Sequence, residues 1–216
     1  MFISSASPRQ GKTTTTANLA AVFAQTGQRV IVVDSDLRRP TLHEIFGIGN
    51  GAGLTNALLT QDPEPPRFLQ PTLYENLSLL ASGPQPPNPS ELLSSDRMDA
   101  VIAALRKEAD IVLFDSLPLL AVADASILAA KVDGTILVVD AGRTRAPALQ
   151  GAAEALSRTG AKAMGAILNK LPKSGHGYYA YSYYYSSPES ATSGHRKRGI
   201  PFMRPPRSPE ESKTHA

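Results

Sequence analysis

The triplet Gly11-Lys12-Thr13 constrains this chain more than any other feature. It belongs to the run Ala6-Ser7-Pro8-Arg9-Gln10-Gly11-Lys12-Thr13-Thr14, which follows the spacing G-x-x-x-x-G-K-[ST] with alanine in place of the first glycine. Such a loop binds phosphate only when it joins the end of a strand to the start of a helix. There the unpaired backbone N–H groups and the helix dipole both favour an anion. The surroundings meet that condition. The apolar pair Phe2-Ile3 precedes the loop. Lys12 to Gln25 reads as an alanine-rich helix, with Leu19, Val22 and Phe23 on one side and Gly27 as its stop. Pro8 through Thr14 are therefore expected to hold nucleotide phosphates, with Lys12 reaching the β/γ-phosphates and Thr13 ligating Mg2+. The competing reading, a chance Gly-Lys-Thr at a helix start, is opposed by the acidic strand ends downstream.

From Phe2 to Asn169 short apolar runs alternate with amphipathic stretches. Strands are expected at Arg29 to Val33, Leu77 to Ala81, Ile111 to Phe114, Thr135 to Val139 and Ala163 to Leu168. Helices are expected at Asp96 to Glu108, with Met98, Val101, Ile102 and Leu105 on one face, at Asp124 to Ala130, and at Ala146 to Arg158 before Gly160. Strands apolar throughout suit a parallel sheet covered on both faces, and the alternation with helices implies βαβ crossovers in an open α/β sheet. Thr60 to Leu73 is proline-rich and reads as loop. A first strand as short as Phe2-Ile3 is expected to be weakly anchored, and the chain's abrupt start is read as a truncated N-terminus. The chain divides into a domain over 1–170 and a tail over 171–216 that is rich in Ser, Pro, Gly, Arg and Tyr and expected to be disordered. The absence of cysteine excludes disulfides and thiolate metal sites. No apolar run approaches the ~20 residues needed to span a bilayer. The basic residues of the tail account for much of the +3 net charge and read first as a solvated segment, with a surface for acidic lipid headgroups or nucleic acid as the lesser alternative; nucleic acid is not an expected partner.

Two further runs carry chemistry. Val30-Ile-Val-Val-Asp34-Ser35-Asp36-Leu-Arg38-Arg39-Pro40 places two carboxylates at the carboxyl end of a buried strand, where open α/β sheets bind ligands. Ile111-Val-Leu-Phe-Asp115-Ser-Leu-Pro118 ends another apolar strand in aspartate. Mg2+ takes near-octahedral oxygen ligation from one or two carboxylates plus waters and phosphates. Asp36 and Asp115 are candidates for it, directly or through water. Each aspartate also has the plainer reading of a helix cap or turn residue. Six of the seven tyrosines (Tyr178, Tyr179, Tyr181, Tyr183, Tyr184 and Tyr185) stand within eight positions near the chain's end. Alone, such a run is aromatic low-complexity sequence. Beside a nucleotide site it is a set of phosphate acceptors.

These motifs together resemble the cytoplasmic domain of the bacterial tyrosine kinases (BY-kinases) of capsule and exopolysaccharide export. The Gly11-Lys12-Thr13 loop is similar to their Walker A motif, Val30 to Pro40 to their Walker A′, and Ile111 to Pro118 to their Walker B. Gly53-Leu-Thr-Asn-Ala-Leu58 and Leu80-Ala-Ser-Gly83-Pro-Gln-Pro-Pro87-Asn88-Pro89-Ser90-Glu91-Leu92-Leu93 resemble stretches typical of that family, and Tyr178–Tyr185 resembles its autophosphorylation cluster. The resemblance implies a P-loop sheet of the septum-site and partition ATPase type that uses ATP and Mg2+. It implies catalytic roles for Lys12, Asp34, Asp36 and Asp115, with Asp34 accepting the tyrosine proton. It implies metal support from Thr13, Asp36 and Asp115. Asn169 either contacts adenine or forms a plain turn. Arg38 and Arg39 either stabilise phosphate charge, meet a neighbouring subunit, or are surface charges.

The implied activity is an ATP-dependent protein-tyrosine autokinase that acts on its own C-terminal cluster and regulates polysaccharide polymerisation and export. The implied partners are a membrane-anchored co-polymerase or activator, a cognate tyrosine phosphatase and further copies of the chain. The implied location is cytoplasmic, peripheral to the plasma membrane through that partner. Two alternatives stand beside it. One is an ATP-hydrolysing positioning or partition switch, which the tyrosine run opposes. The other is a truncated nucleotide-binding module, which the abrupt start and Ala6 favour.

Overall fold

In a computed structural model, residues 1–60, 64–122 and 124–171 are described. All six clustered tyrosines and the expected tail, apart from Leu171, lie outside them. Seven strands form one sheet: β1 (Phe2–Ser5), β2 (Val30–Asp34), β3 (Gln70–Pro71), β4 (Leu77–Leu80), β5 (Ile111–Asp115), β6 (Thr135–Asp140) and β7 (Ala163–Asn169). Their order is β3-β4-β2-β5-β1-β6-β7, parallel except where β3 meets β4. Helices α1 (Lys12–Gln25), α2 (Leu42–Phe46), α3 (Leu54–Leu59), α4 (Pro89–Ser94), α5 (Asp96–Glu108), α6 (Asp124–Ala130) and α7 (Ala146–Arg158) cover it.

β2 shows why the strand runs are apolar without interruption. All five of its residues are buried. Val30 and Val32 face one hydrophobic cluster, with Ala17, Ala20 and Ala24 of α1. Ile31 and Val33 face the other, with Met98, Val101, Ile102 and Leu105 of α5. Successive strand side chains point to opposite faces, so a strand covered on both sides has no polar position to spare.

Two expectations are corrected. The first strand is not weakly anchored. β1 lies between β5 and β6, all four of its residues are buried, and the Phe2 N–H donates to the Gly134 carbonyl at 2.9 Å. Central placement compensates for its four-residue length. Val22 is not on the packed side of α1. It is 48% exposed, whereas Thr16, Ala17, Ala20, Ala21 and Ala24 are buried. The stripe of small residues lets α1 lie close on the sheet, which turns the larger Val22 outward. Part of the proline-rich stretch also carries structure: a 3-10 turn at Pro65–Phe68 and β3, whose Gln70 and Pro71 pair with Leu79 and Ser78.

Candidate active site

Three strand ends build the site. β1 delivers the phosphate loop, β2 delivers Asp34 and Asp36, and β5 delivers Asp115. β2 and β5 are adjacent and in register, with Asp34 opposite Asp115. β5 also pairs with β1, Ile3 opposite Asp115. Hydroxyls tie the strand ends together: Ser4 donates to the Leu117 carbonyl at 2.8 Å, Ser116 donates to the Ile3 carbonyl at 2.9 Å, and Ser35 donates to the Asp115 carbonyl.

The loop turns into α1 at Gly11, whose φ of +93° belongs to the left-handed region. A Cβ there would lie 2.2 Å from Asn169 Nδ2, so both conformation and space require glycine. Lys12 Nζ donates to Thr13 Oγ1 at 3.1 Å and lies 3.8 Å from both Asp36 Oδ2 and Asp115 Oδ2. One ammonium thus faces a buried set of carboxylates. Asp34 is fully buried; its Oδ2 accepts the N–H groups of Thr41 and Leu42, each at 3.0 Å, and its Oδ1 accepts that of Asp36 at 3.3 Å. Asp36 Oδ1 accepts the Arg39 N–H at 2.9 Å. Burial pushes the Asp34 carboxyl up to about 8, the charge of Asp115 adds to this, and the Leu42 N–H opposes it. Burial likewise raises Asp115, against the pull of Lys12.

Such a cluster suits a cation. Asp115 Oδ2 is buried and accepts no hydrogen bond. It shares Lys12 with Asp36, and Thr13 Oγ1 stands beside the same ammonium. These donors are all oxygens, the set a hard cation such as Mg2+ takes. Among the described residues no three His, Cys, Asp or Glu side chains converge as a complete metal cage.

The structure brings Lys12, Thr13, Asp34, Asp36 and Asp115 together. Asn169 sits against the loop; its Nδ2 donates to the Gln10 carbonyl at 3.0 Å. Four partners were missed from sequence. Thr16 Oγ1 donates to Asp115 Oδ1 at 3.3 Å. Lys170 Nζ donates to the Arg9 carbonyl and pairs with Asp140 Oδ2 at 2.9 Å, which holds the Asp140 carboxyl below its ordinary range. Gln10 Nε2 donates to Thr144 Oγ1 at 2.7 Å, and that hydroxyl oxygen also accepts the Asp140 N–H at 3.0 Å. Asp140 ends the apolar strand β6 as Asp34 and Asp115 end theirs, and that shared pattern was the available signal. Arg38 is engaged internally: its Nη2 donates to Ser90 Oγ at 3.0 Å and to Asp124 Oδ2 at 3.3 Å. It pins the Asp36 segment to α4 and α6.

A phosphate loop at the end of a central strand, with acidic ends on its neighbours, defines a P-loop nucleotide-binding protein. Residues 2–182 match the CobQ/CobB/MinD/ParA nucleotide binding domain. Within that class the chain belongs to the bacterial tyrosine-protein kinases. It is 44% identical over 181 residues to the tyrosine-protein kinase YwqD of Bacillus subtilis, spanning 84% of this chain and 76% of that protein. It is 36% identical over 184 residues to the tyrosine-protein kinase wzc of Salmonella typhimurium, spanning 85% of this chain but 26% of that longer protein. The kinase domain of Escherichia coli tyrosine kinase ETK superposes with a TM-score of 0.77 at 36% identity, covering 81% of this chain and 68% of that one.

Proposed function

We propose that this chain is an ATP-dependent protein-tyrosine autokinase that phosphorylates its own Tyr178–Tyr185 cluster, within one copy or between copies, and thereby regulates exopolysaccharide or capsule polymerisation and export. The observation that carries the reading is the convergence of Lys12, Asp34, Asp36 and Asp115 at adjoining strand ends, in a chain that also holds six clustered tyrosines.

In this reading the loop from Pro8 through Thr14 binds the ATP phosphates through its backbone N–H groups, and Lys12 neutralises charge on the transferring group. Thr13, Asp36 and Asp115 would hold Mg2+, which supplies further neutralisation of the phosphates. The tyrosine Oη forms a bond to the γ-phosphorus as the bond from that phosphorus to the bridging oxygen of ADP breaks. Asp34 takes the phenolic proton. A carboxyl near 8 keeps its own proton at neutral pH, so Asp34 serves as base only in its ionised form, which the charge of Lys12 favours and that of bound Mg2+ would favour further. Once ionised it is a stronger base toward a phenol near ~10 than an ordinary aspartate near ~4. Because its oxygens accept the N–H groups of Asp36, Thr41 and Leu42, the phenol reaches it when the 36–42 segment shifts. Asn169 borders the nucleotide and holds the loop at Gln10.

Among the described residues no helix is long and apolar enough to cross a membrane. A membrane-anchored co-polymerase partner would bring the kinase to the inner face of the plasma membrane, and a cognate phosphatase would reset the tail.

The test is incubation of the full chain with labelled ATP and Mg2+, with and without the cytoplasmic segment of a candidate membrane partner, followed by mass-spectrometric mapping. Label confined to Tyr178–Tyr185 and abolished in Lys12→Met supports the proposal. Phosphate release without protein label refutes it in favour of an ATPase switch.

A further inference from the structure

Beside the phosphate loop, away from the aspartates, lies a cavity of about 340 Å3 whose walls include Arg9, Gln10, Asp140, Arg143, Thr144 and Arg145. That volume falls in the ~300–1,000 Å3 range of small-molecule sites. None of Lys12, Asp34, Asp36 and Asp115 lines it. Its chemistry is cationic: three arginines line it against one aspartate, and that carboxylate, Asp140, is already paired with Lys170. α7 adds no acidic residue in its first turn. Among the described residues no ion pair within 4.0 Å engages the Arg9, Arg143 or Arg145 side chains, and Arg143 acts on Asp140 only as a more distant charge. A guanidinium matches a phosphate dianion through paired N–H donors.

The chain itself carries a source of such dianions. The Lys170 ammonium bridges the Arg9 carbonyl and Asp140, so the path to the tail leaves from the rim of this cavity. Tyr178 is eight residues beyond Lys170. At ~3.3–3.6 Å per residue, its reach is at most roughly 29 Å. Tyrosines in the cluster are separated by one or two positions, about 3.5–7 Å in extended chain. We propose that this cavity is a phosphotyrosine subsite: Arg9, Arg143 and Arg145 bind the phosphate of an already modified tyrosine of the cluster, from the same chain or a second copy, while a nearby tyrosine is presented to the catalytic side of the loop. The proposal rests on the autokinase reading, since the ligand is that reaction's product. Its consequence is that modification spreads along one cluster rather than starting afresh on another.

The experiment needs no catalysis, so its failure is distinguishable from failure of the autokinase reading. Fluorescence anisotropy is measured on the full chain with labelled synthetic peptides covering Gly177–Ser186, unmodified or phosphorylated at Tyr181, without ATP and at low ionic strength. The phosphopeptide is expected to bind at least about tenfold more tightly, with the margin shrinking as salt rises. Arg143→Gln/Arg145→Gln is expected to remove the margin; should that variant not fold, Arg9→Gln is measured in the same way. Equal affinity for the two peptides overturns the proposal, as does a margin that survives in the variants. Displacement of the phosphopeptide by equimolar inorganic phosphate also overturns it, in favour of a bare anion site. Loss of binding to phosphatidylserine vesicles in the double variant, with phosphopeptide binding unchanged, would assign the arginines to a lipid surface instead.

Discussion

Asp34→Asn tests the electrostatics of the site through stability alone. The folded chain holds the Asp34 carboxyl at about 8 against an ordinary 3.8. Between those values the folded state binds a proton that the unfolded state has released. Stability from this group is therefore full below about pH 4 and falls as pH rises toward 8. Converted at ~1.36 kcal/mol per pH unit, the gap amounts to on the order of 6 kcal/mol across the window. Asparagine is close to isosteric. Its carbonyl oxygen can keep the two 3.0 Å bonds from Thr41 and Leu42, and only the 3.3 Å bond from Asp36 meets an NH2 group instead. The assay is urea denaturation of both proteins, free of nucleotide and divalent cations, at steps from pH 5 to pH 8.5. Wild type should lose stability through this range more steeply than the variant. The difference between the curves, which cancels titrations common to both, should move by several kcal/mol in the variant's favour. Parallel curves, or a wild type that gains stability relative to the variant as pH rises, would refute the buried-carboxylate argument.

Gly11→Ala should weaken nucleotide binding by at least about tenfold in a titration with a fluorescent ATP analogue, because the new Cβ meets Asn169 Nδ2 at 2.2 Å. Adding Asn169→Ala should recover only part of the loss, since the φ of +93° stays strained. Lys170→Met should lower the melting temperature by a few degrees at pH 7. That loss should fade as pH drops below the ordinary aspartate range, because a carboxyl held low contributes stability only while it is ionised. Leu105→Ala should cost about 2–5 kcal/mol by denaturant titration with unchanged nucleotide affinity, because Leu105 is fully buried in the α5 cluster and not among the groups around Lys12.

The parts of this molecule that were legible in the sequence share one property: a local pattern suffices to define them. Val30 to Val33 and Ile111 to Phe114 are apolar at every position because both sheet faces are covered, and each run announces where its aspartate will stand. α5 kept its expected face because four large side chains recur at helical spacing. α1 did not, because its buried stripe is alanine and threonine, and residue size misled where closeness of packing decided. The short helices α2, α3 and α4, of five or six residues, run for less than two turns and carry too little periodicity to read. Contacts across long stretches of chain, such as Lys170 to Arg9 and Gln10 to Thr144, have no local signature, because they depend on β7 and β6 ending level with the loop from β1. Those contacts divide the loop into two ends. Its glycine-lysine end faces the acid cluster, while its Arg9-Gln10 end is clamped by the last residues before the tail. The Gly11-Lys12 loop and the segment that leads toward Tyr178 therefore share one set of hydrogen bonds. Displacement of Asn169 or Lys170 would therefore break the bonds that the Gln10 and Arg9 carbonyls accept.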